Sequence, residues 1–537
     1  MSLLRSTFNF GSMTLISRIL GFARDVVLAR WFGASAATDA FFVAFKIPNF
    51  LRRLFAEGSF SLAFVPVLAE YRERGDAAEL KSLIDATAGA LLAVLLIITA
   101  LGVAGAPWVV RIFAPGFMGD PEQLALASDM LRVTFPYLLF IALTALAGGI
   151  LNTLGRFALP ALTPALLNVA MIVAAVAFSG RFAEPVKALA WGVLVAGVLQ
   201  LAVQIPALLR HGVLPRPRLG FAHPGVKRIM RLMVPTLFGS SVAQISLLLD
   251  VLIASLLISG SLSWLYYADR LMEFPLGLFG VALSTVILPS LASLHARGAN
   301  AGFRTTLEWA LLLGVVIGVP SAVGLAVLAE PVLVTLFNYG AFDLGDVRMA
   351  AMALMAYCLG LPAFIGVKIL APAFFARQDT RTPVRIAITA LSVNMLLNIV
   401  FVLALTWHLA GGDFGAGLLA TLAAHPGAHV ALALASSASG WLNAILLWRN
   451  LRQPGLAPAL PPRRVAQVLA GSTAMLLVVI AVMPPADVLA EAGAFARAGW
   501  LLAGVASGTT AYALILLALG LRPSDLARPA RLPHSMD

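Results

Sequence analysis

Long runs of apolar residues, each about the length of a membrane-spanning helix, follow one another along most of the chain. A bilayer core of about 30 Å takes roughly 20 apolar residues in a helix. Twelve clear spans are predicted, at 83–109, 131–152, 158–179, 187–208, 229–259, 274–294, 306–330, 349–375, 384–406, 428–447, 465–484 and 498–520. The segments between them are short, so the pattern predicts a protein built almost wholly of membrane helices.

Two further spans, near 8–30 and 38–70, carry several charged side chains. They are still predicted to be helices, because backbone exposed to lipid has no other local way to satisfy its N–H and C=O groups. Arg18 and Arg24 interrupt the first apolar stretch and no small-residue cleavage site follows it, so a cleavable signal peptide is not expected. The predicted total is fourteen spans.

The composition agrees with this pattern. Of 537 residues, 60% are hydrophobic and only 12% are charged, against about 25% charged residues in an ordinary soluble domain. The mean hydropathy is +0.94. Too few polar side chains are present to cover a soluble fold, which excludes a soluble enzyme, a disordered protein and a conventional nucleic-acid binder. The single Cys358 excludes an intramolecular disulfide or a thiolate metal cluster.

The net charge of +12 is distributed unevenly between the two ends of the spans. Fourteen spans place both termini on one side, and 22 Lys and Arg residues fall on that side. Six fall on the other side: Arg111, Arg132, Arg181, Lys187, Arg348 and Arg497. Because cytoplasmic loops carry an excess of Lys and Arg, both termini are predicted to be cytoplasmic. The remaining nine basic residues lie within or beside the spans.

An internal repeat relates the two halves of the chain. Residues 64–75 resemble residues 287–298 at an offset of 223, with Pro66 aligned to Pro289 and Gly75 to Gly298. Six predicted spans separate the copies, as in transporters built from parallel repeats. The predicted fold is an all-α polytopic membrane protein of fourteen transmembrane helices. It has a six-helix lobe at 1–220, a second at 221–450, and two C-terminal helices with a short cytoplasmic tail at 451–537.

The first span carries a polar face. On a helical wheel, Arg18 and Arg24 lie about 120° apart and about 9 Å apart along the axis. Gly21 lies midway between them, and Ser17 lies seven residues before Arg24. The pattern predicts bare backbone flanked by two guanidinium groups. A charged group at the centre of a bilayer costs about 2.5–3.5 kcal/mol on insertion scales, so these arginines need a hydrated cavity or anionic partners.

The second span carries a stripe of charge. Asp39, Lys46 and Arg53 recur every seven residues, and Pro48 is expected to kink the helix because it lacks a backbone N–H. Arg53 and Glu57 have the spacing of a helical ion pair.

Other charged residues lie near these spans. Arg52 faces away from the Arg53–Glu57 pair, and Ser263, Asp269, Arg270 and Glu273 follow span seven. One interpretation is that all such residues form structural ion pairs or extend to the membrane surface. The alternative is an anion site, because planar guanidinium groups bind phosphate or diphosphate bidentately. A cation transporter would show acidic residues in their place.

A second polar set suggests a cation. Asp250 lies in an apolar run of span seven, while Asn394 and Asn398 share one face of span eleven. One carboxylate and two amide oxygens would suit a sodium ion. The competing interpretation is hydrogen bonding between helices, or an Asp250 that stays protonated.

Four motifs resemble the MurJ/MviN family of lipid II flippases, within the multidrug/oligosaccharidyl-lipid/polysaccharide exporter superfamily. They are SRILGFARDVVLARWFG with ATDAFFVAFKIPNFLRRLFAEG from Ser17 onward, FVPVLAEY at 64–71, SWLYYADRLMEFP at 263–275 and LAPAFFARQDTRTPV at 370–384. The resemblance implies two six-span lobes, a central cationic cavity that opens alternately to each side, and a groove for the lipid tail lined by spans thirteen and fourteen.

The resemblance also implies roles for particular residues. The family's essential cavity arginines fall on Arg18, Arg24, Arg52 and Arg270, and its acidic residues on Asp39 and Glu57. Further cavity or gating positions fall on Ser17, Gly21, Lys46, Pro48, Arg53, Ser263, Asp269 and Glu273. Asp250, Asn394 and Asn398 resemble the sodium site of some sodium-coupled members.

The expected function is that of an inner-membrane flippase, not an enzyme. Its substrate would be lipid II, an undecaprenyl diphosphate that carries a disaccharide-pentapeptide. Membrane lipid and cell-wall synthesis proteins are the other expected partners, and nucleic acid is not. No cofactor is expected beyond sodium as a candidate coupling ion. Alternatives are a flippase for another polyprenyl-linked glycan, a cation–drug antiporter, a membrane glycan ligase or transferase, and a structural partner of the cell-wall machinery.

Overall fold

The computed structural model describes residues 3–54, 60–415, 417–451 and 457–527, and within them all side chains except those of 3–15, 235–244, 523 and 527. The described residues form helices and connecting loops, with no β-strand among them. The all-α class is therefore confirmed. The chain forms two compact units, Met1–Ser263 and Trp264–Asp537. The predicted lobe limits at 220 and 450 stay predictions.

The first unit contains eleven described α-helices and the start of a twelfth. They are α1 (Leu3–Phe32), α2 (Ala36–Arg52), α3 (Ser61–Glu73), α4 (Ala77–Ala104), α5 (Ala106–Phe113), α6 (Pro121–Thr134), α7 (Tyr137–Thr153), α8 (Ala158–Val173), α9 (Lys187–Ala202), α10 (Ile205–Arg210) and α11 (Pro224–Ser255). The division between the units falls inside α12 (Ser261–Pro275).

The second unit contains the rest of α12 and twelve further described α-helices. They are α13 (Val281–Ala296), α14 (Asn300–Val327), α15 (Ala329–Phe337), α16 (Leu344–Cys358), α17 (Leu361–Phe375), α18 (Arg381–Leu409), α19 (Leu418–Ala424), α20 (Val430–Asn450), α21 (Pro462–Val482), α22 (Ala486–Glu491), α23 (Ala494–Ala518) and α24 (Pro523–Ala527).

The chain is a multi-pass membrane protein. Ten described helical segments are long and apolar enough to cross a membrane, or eleven if α16 and α17, bent by 41°, form one span. These eleven coincide with eleven of the twelve clear predicted spans. The other predicted spans coincide with α1, with α2 and α3, and with α11. That these three also cross the membrane, and the total of fourteen, stay predictions.

Local sequence explains the turn between α1 and α2. Gly33 adopts a positive φ of 60°, a conformation in which glycine has no Cβ penalty, and its N–H bonds the carbonyl of Ala29. Ser35 then caps α2, its hydroxyl accepting from the N–H of Thr38 at 3.3 Å. These hydrogen bonds end α1 at the turn and begin α2 a few residues later.

The two copies of the sequence repeat have the same local structure. Pro66 lies inside α3 and Pro289 lies inside α13. Gly75 and Gly298 both follow their helix with positive φ values of 78° and 68°. Each copy therefore ends in the same kind of glycine-terminated turn, as the alignment predicts.

Close helix packing surrounds the bend between α16 and α17. The bend follows Leu359 and Gly360, with Pro362 at the start of α17. A Cβ on Gly360 would lie 2.7 Å from the Cα of Ser437 in α20. Only glycine lets the two helices approach this closely without a shift.

In the first unit, α1 packs on α8, α2 on α6, and α3 and α4 on α7. The loop between α10 and α11 lies against α4. The Asp85 carboxylate accepts from the Lys81 ammonium and from the Arg216 N–H at 2.7 Å. The Arg218 N–H bonds the Asp85 carbonyl at 3.1 Å. A buried carboxylate thus holds this basic, proline-containing loop in place.

In the second unit, α21 packs on α23 and α14, and α18 packs on α20. Arg497 of α23 is 7% exposed. Its guanidinium donates to the carbonyls of Val334 and Asn338 at the end of α15, and of Ala490 and Ala492 near the end of α22. Arg497, which is counted among the six basic residues of the outer side, is thus a buried residue that satisfies helix carbonyls, and its predicted side of the membrane stays a prediction.

Candidate functional site

Arg24 is buried in the first unit and engaged with two neighbours. Its side chain is 4% exposed. Nε and Nη2 donate to one oxygen of Asp25, at 2.9 and 2.6 Å, and Nη1 donates to the Asn168 side-chain oxygen at 3.1 Å. Asp25 itself is 1% exposed. The guanidinium therefore has a carboxylate and an amide as partners inside the unit.

Asn168 of α8 lies over the part of α1 that was predicted to expose bare backbone. Its amide nitrogen donates to the Ser17 carbonyl at 3.1 Å, and a Cβ on Gly21 would lie 3.4 Å from that nitrogen. Gly21 lies between Arg18 and Arg24 as predicted, but the surface it leaves open is covered by a side chain of α8.

Arg18 differs from Arg24 in its surroundings. Its side chain is exposed, and it makes no hydrogen bond or ion pair with a residue that the structure describes. It lines a cavity of about 360 Å³, whose walls are Ser17, Arg18, Asn152, Phe157, Pro160, Ala161 and Pro164. An anionic group with an apolar substituent would match one cation beside a largely apolar wall.

Asp39 caps the start of α12. One carboxylate oxygen accepts from the Gly260 N–H at 2.7 Å, and the other from the Ser263 N–H at 2.9 Å and hydroxyl at 2.6 Å. Both side chains are buried. A carboxylate at a helix N-terminus satisfies N–H groups that lack partners within the helix. Asp39 makes no ion pair with a described residue, so its predicted charge pairing stays a prediction.

The seven-residue stripe of α2 runs from its buried to its exposed end. Asp39 is buried, Lys46 half-buried and Arg53 exposed, while Pro48 lies buried within the helix. The stripe therefore does not form one continuous polar surface.

Arg52, at the end of α2, is half-buried. Its Nε donates to the side-chain oxygen of Asn49 at 2.7 Å. Glu57 lies outside the described residues, so its predicted pairing with Arg53 stays a prediction. This end of α2 presents both arginines near Asn49.

In the second unit, Arg270 and Glu273 interact as their spacing predicts. Nη1 of Arg270 donates to Glu273 at 3.1 Å, and its guanidinium lies 5.6 Å from the Tyr266 ring centre. Asp269 is half-buried beside it. Both side chains of the pair remain partly exposed, which keeps the guanidinium within reach of a ligand.

Trp264 has a polar neighbour that the motif alone did not reveal. Its indole N–H donates to Asp346 at 2.8 Å, and its ring lies 5.0 Å from that of His429. Asp346 also forms a capping box with Asp343 at the start of α16. The motif at 263–275 is thereby joined to α16 and α20.

The fourth motif forms the turn between α17 and α18. Gln378 has a positive φ of 61°, and the Asp379 carboxylate accepts from the Thr382 N–H at 3.0 Å. That hydrogen bond lowers the pKa of Asp379 below its ordinary value. The carboxylate therefore stays ionised and bonds the first turn of α18.

The candidate cation ligands belong to different units. Asp250 lies half-buried in α11 of the first unit, and Asn394 and Asn398 lie buried in α18 of the second. Within the described part of the chain, no three His, Cys, Asp or Glu side chains are grouped to hold a metal ion. The sodium site stays a prediction.

Asn168 and Asp25 are the residues of this site that sequence reasoning missed. Asp25 directly follows Arg24, and an Asn within the predicted span 158–179 is itself a signal, because polar side chains in a membrane helix need partners. The chain separation of 144 residues from Arg24 hid the contact.

Comparison with known proteins gives a consistent result. The family model described as "Lipid II flippase MurJ" matches residues 28–491. A probable lipid II flippase MurJ of Vibrio cholerae serotype O1 is 44% identical over 98% of this chain and 97% of that protein. The lipid II flippase MurJ of Burkholderia cenocepacia is 46% identical over 85% of both chains.

Solved structures agree in fold. A lipid II flippase MurJ in an inward closed conformation matches with a TM-score of 0.76 and 27% identity, over 94% of this chain and 97% of that one. An inward-facing multidrug resistance MATE family transporter of the MOP superfamily matches at 0.61 and 14% identity, over 86% and 99%, which shows the fold alone. From the family match and the near full-length relatives, the chain belongs to the lipid II flippase MurJ family.

Proposed function

We infer that this chain flips lipid II from the cytoplasmic to the periplasmic leaflet for cell-wall synthesis, by alternating access. It is a transporter and not an enzyme. The observation that carries the inference is the match, over almost the whole chain, to relatives named lipid II flippase. The match begins within α1, at residue 28 in the family model, and the closely similar full-length relative extends it to nearly the whole chain.

The substrate's diphosphate is proposed to contact Arg18, Arg24, Arg52 and Arg270 during the transport cycle. Guanidinium groups keep their charge at all physiological pH values and bind phosphate oxygens through paired N–H donors. Arg18 supports this role most directly, because it is exposed beside a cavity.

Gating is assigned to the acids and to the neighbouring polar residues. Asp39 and Glu57 form charge pairs in part of the cycle, and Pro48 absorbs bending of α2. In the present structure Asp39 holds the start of α12 through Gly260 and Ser263, an arrangement that a moving helix would have to break. Further cavity or gate positions are Ser17, Gly21, Lys46, Arg53, Asp269 and Glu273.

The proposed membrane arrangement has fourteen spans in the inner membrane, with both termini cytoplasmic. Residues 1–220 and 221–450 form the six-span lobes, and spans thirteen and fourteen, within 451–537, line a groove for the lipid tail. The excess of 22 basic residues against six supports this orientation.

Coupling and further partners complete the proposal. Membrane potential or sodium drives the cycle, with Asp250, Asn394 and Asn398 as candidate sodium ligands. Proteins of the cell-wall synthesis machinery are the proposed protein partners.

Comparing transport by wild type and by Asp250→Ala, with and without sodium, tests the role of this ion. An equal response of both proteins to sodium would remove Asp250 from the proposal.

Complementation of a strain depleted of its own lipid II flippase tests the function. Wild type should restore growth, whereas Arg18→Ala, Arg24→Ala and Arg270→Ala should not, at equal membrane levels. Arg297→Ala is the matched control, because Arg297 is exposed after α13 and outside the proposed site.

Two results would contradict the proposal. Rescue by all three site variants would refute the diphosphate role of these arginines. Failure of wild type to rescue, combined with rescue of a strain that lacks a flippase for another polyprenyl-linked glycan, would assign the chain to that substrate.

A further inference from the structure

We propose that Asn168 is a positioning residue for the diphosphate site: it sets the direction in which Arg24 presents its guanidinium and fixes the adjacent turn that bears Arg18. The inference rests on the proposed function, because it takes Arg24 and Arg18 as diphosphate ligands. Asn168 is 7% exposed, and both ends of its amide are bonded to α1.

The first argument is the chemistry of the residue. A buried amide in a membrane span is unfavourable unless donor and acceptor both find partners. Packing α8 on α1 needs only an apolar side chain of similar size, such as leucine. Asn168 instead supplies an acceptor to a permanently charged group and a donor to a backbone carbonyl. A polar side chain is thus retained where packing alone does not require one.

The second argument is the division of the Arg24 donors. Asp25, on the same helix, takes Nε and Nη2, which form one edge of the guanidinium. Asn168 takes Nη1, on the other edge, from α8. A planar group held at two edges has a defined orientation. Asp25 and Asn168 therefore determine the orientation of the guanidinium plane to which a diphosphate would bind.

The third argument is the reach of Asn168 along α1. Its nitrogen bonds the Ser17 carbonyl, next to Arg18, and lies against Gly21. Arg24 extends toward it because helical side chains tilt toward the N-terminus. One residue of α8 therefore touches both turns of α1 that bear the proposed ligands, and so sets the spacing between them.

Binding of a diphosphate and of a monophosphate separates positioning from packing. The full chain in detergent is titrated with undecaprenyl diphosphate and with undecaprenyl monophosphate by native mass spectrometry. Asn168→Leu should bind the diphosphate about tenfold more weakly, the scale of one hydrogen bond to a charged group. Binding of the monophosphate, which needs only one phosphate site, should weaken less. The ratio of diphosphate to monophosphate affinity should therefore fall.

Two further variants keep the test decisive. Asn168→Asp retains an acceptor for Arg24 but loses the donor to the Ser17 carbonyl, and its charge repels the diphosphate, so the preference should fall at least as far. Gln200→Leu is the matched control: Gln200 is 1% exposed and bonds the Thr163 carbonyl between α9 and α8 without touching an arginine. It should leave the preference unchanged.

A double-variant cycle identifies the route of the effect. In an Arg24→Ala background, Asn168→Leu should cause a smaller loss than it does in the wild-type chain, because the part of its effect that acts through Arg24 is already gone and only the part that acts through the Arg18 turn remains. If the losses of diphosphate affinity in the two single variants add fully in the double variant, the role of Asn168 is refuted while the proposed function stands. An unchanged diphosphate preference in both Asn168 variants would have the same meaning. Absence of diphosphate binding by the wild-type chain would overturn the proposed function itself.

Discussion

Arg24 and Arg497 are both buried, and each is surrounded by acceptors of a different kind. Arg24 has a carboxylate and an amide oxygen, and it lies where a charged ligand is proposed to bind. Arg497 has four backbone carbonyls and the face of Tyr339, with 5.0 Å between guanidinium and ring centre. A buried guanidinium needs hydrogen-bond acceptors around it. The acceptors of Arg24 are side chains beside a proposed ligand site, whereas those of Arg497 are backbone carbonyls, which marks Arg497 as a structural residue.

Arg497→Gln should destabilise the protein by about 3 kcal/mol. The shorter, neutral side chain cannot reach all four carbonyls, and hydrogen bonds to a charged group contribute about 1.5–3 kcal/mol each. Thermal unfolding of the purified protein in detergent measures the change. Arg348→Gln is the control, since the Arg348–Asp487 pair is exposed and contributes little. Equal stability of wild type and Arg497→Gln would refute the structural role.

Asp39→Ala should lower the unfolding temperature more than Ser263→Ala. The Asp39 carboxylate serves two backbone N–H groups and one hydroxyl, whereas Ser263→Ala removes only the hydroxyl. Unsatisfied buried donors cost about 1–3 kcal/mol each. The same thermal scan compares both variants, and a larger effect of Ser263→Ala would contradict the capping geometry.

The polar face of α1 could be predicted because the helical period is fixed: Arg18, Gly21 and Arg24 follow from their spacing alone. The partners could not. Asn168 reaches Gly21 only through the packing of α8 on α1, and helix packing is not encoded in a local period. The burial of Arg497 could not be predicted either, because a count of charges does not detect helix ends that converge in space.

At the scale of elements, proline and glycine explain where helices bend and stop. Gly75 and Gly298 end equivalent helices after an internal proline, and Gly360 lies at the break between α16 and α17. Most of the clear spans match the described segments to within about six residues at each end, because length and hydropathy decide them. The predicted spans 131–152 and 274–294 instead begin 10 and 13 residues after the start of the described segments Pro121–Thr153 and Ser261–Ala296. The break at Gly360 escaped prediction, since it depends on contact with α20.

Gly360→Ala should destabilise the protein by about 1–3 kcal/mol, the cost of overpacking a close contact. The added Cβ would lie 2.7 Å from backbone and side-chain atoms of Ser437. Gly366→Ala, in the same helix, is the matched control: no atom lies within 4 Å of its Cβ, and alanine favours helix by about 1 kcal/mol. Denaturation in detergent should separate the two variants, and equal effects would argue against close packing at Gly360.

For the whole molecule, apolar length and the placement of basic residues set the membrane arrangement. The family match and the described spans make the chain a multi-pass transporter. Its proposed sidedness rests on a count of charges, which is independent of any contact between helices. That is why the global topology could be proposed from the sequence while the details of single sites could not.

Single cysteines should report this sidedness. Cys358 is buried and is the chain's only cysteine, so Cys358→Ser gives a background without thiols. Met118→Cys and Phe495→Cys, at positions 56% and 96% exposed, should react with an impermeant maleimide in spheroplasts. Leu219→Cys, at a position 80% exposed, should react only after permeabilisation. Labelling of Leu219→Cys in sealed cells would reverse or disprove the proposed orientation.

The anchoring of Arg497 has a consequence for biogenesis. The carbonyls of Asn338 and Val334 accept hydrogen bonds from Arg497, which lies 159 and 163 positions later in the chain. At translation rates of about 5–20 residues per second, roughly 10–30 seconds pass before that residue is made. During this interval the nascent chain sits in the membrane with an incompletely satisfied helix end. α23 therefore completes the hydrogen bonding of α15, a helix synthesised long before it, and a chain that ends before α23 would lack these bonds.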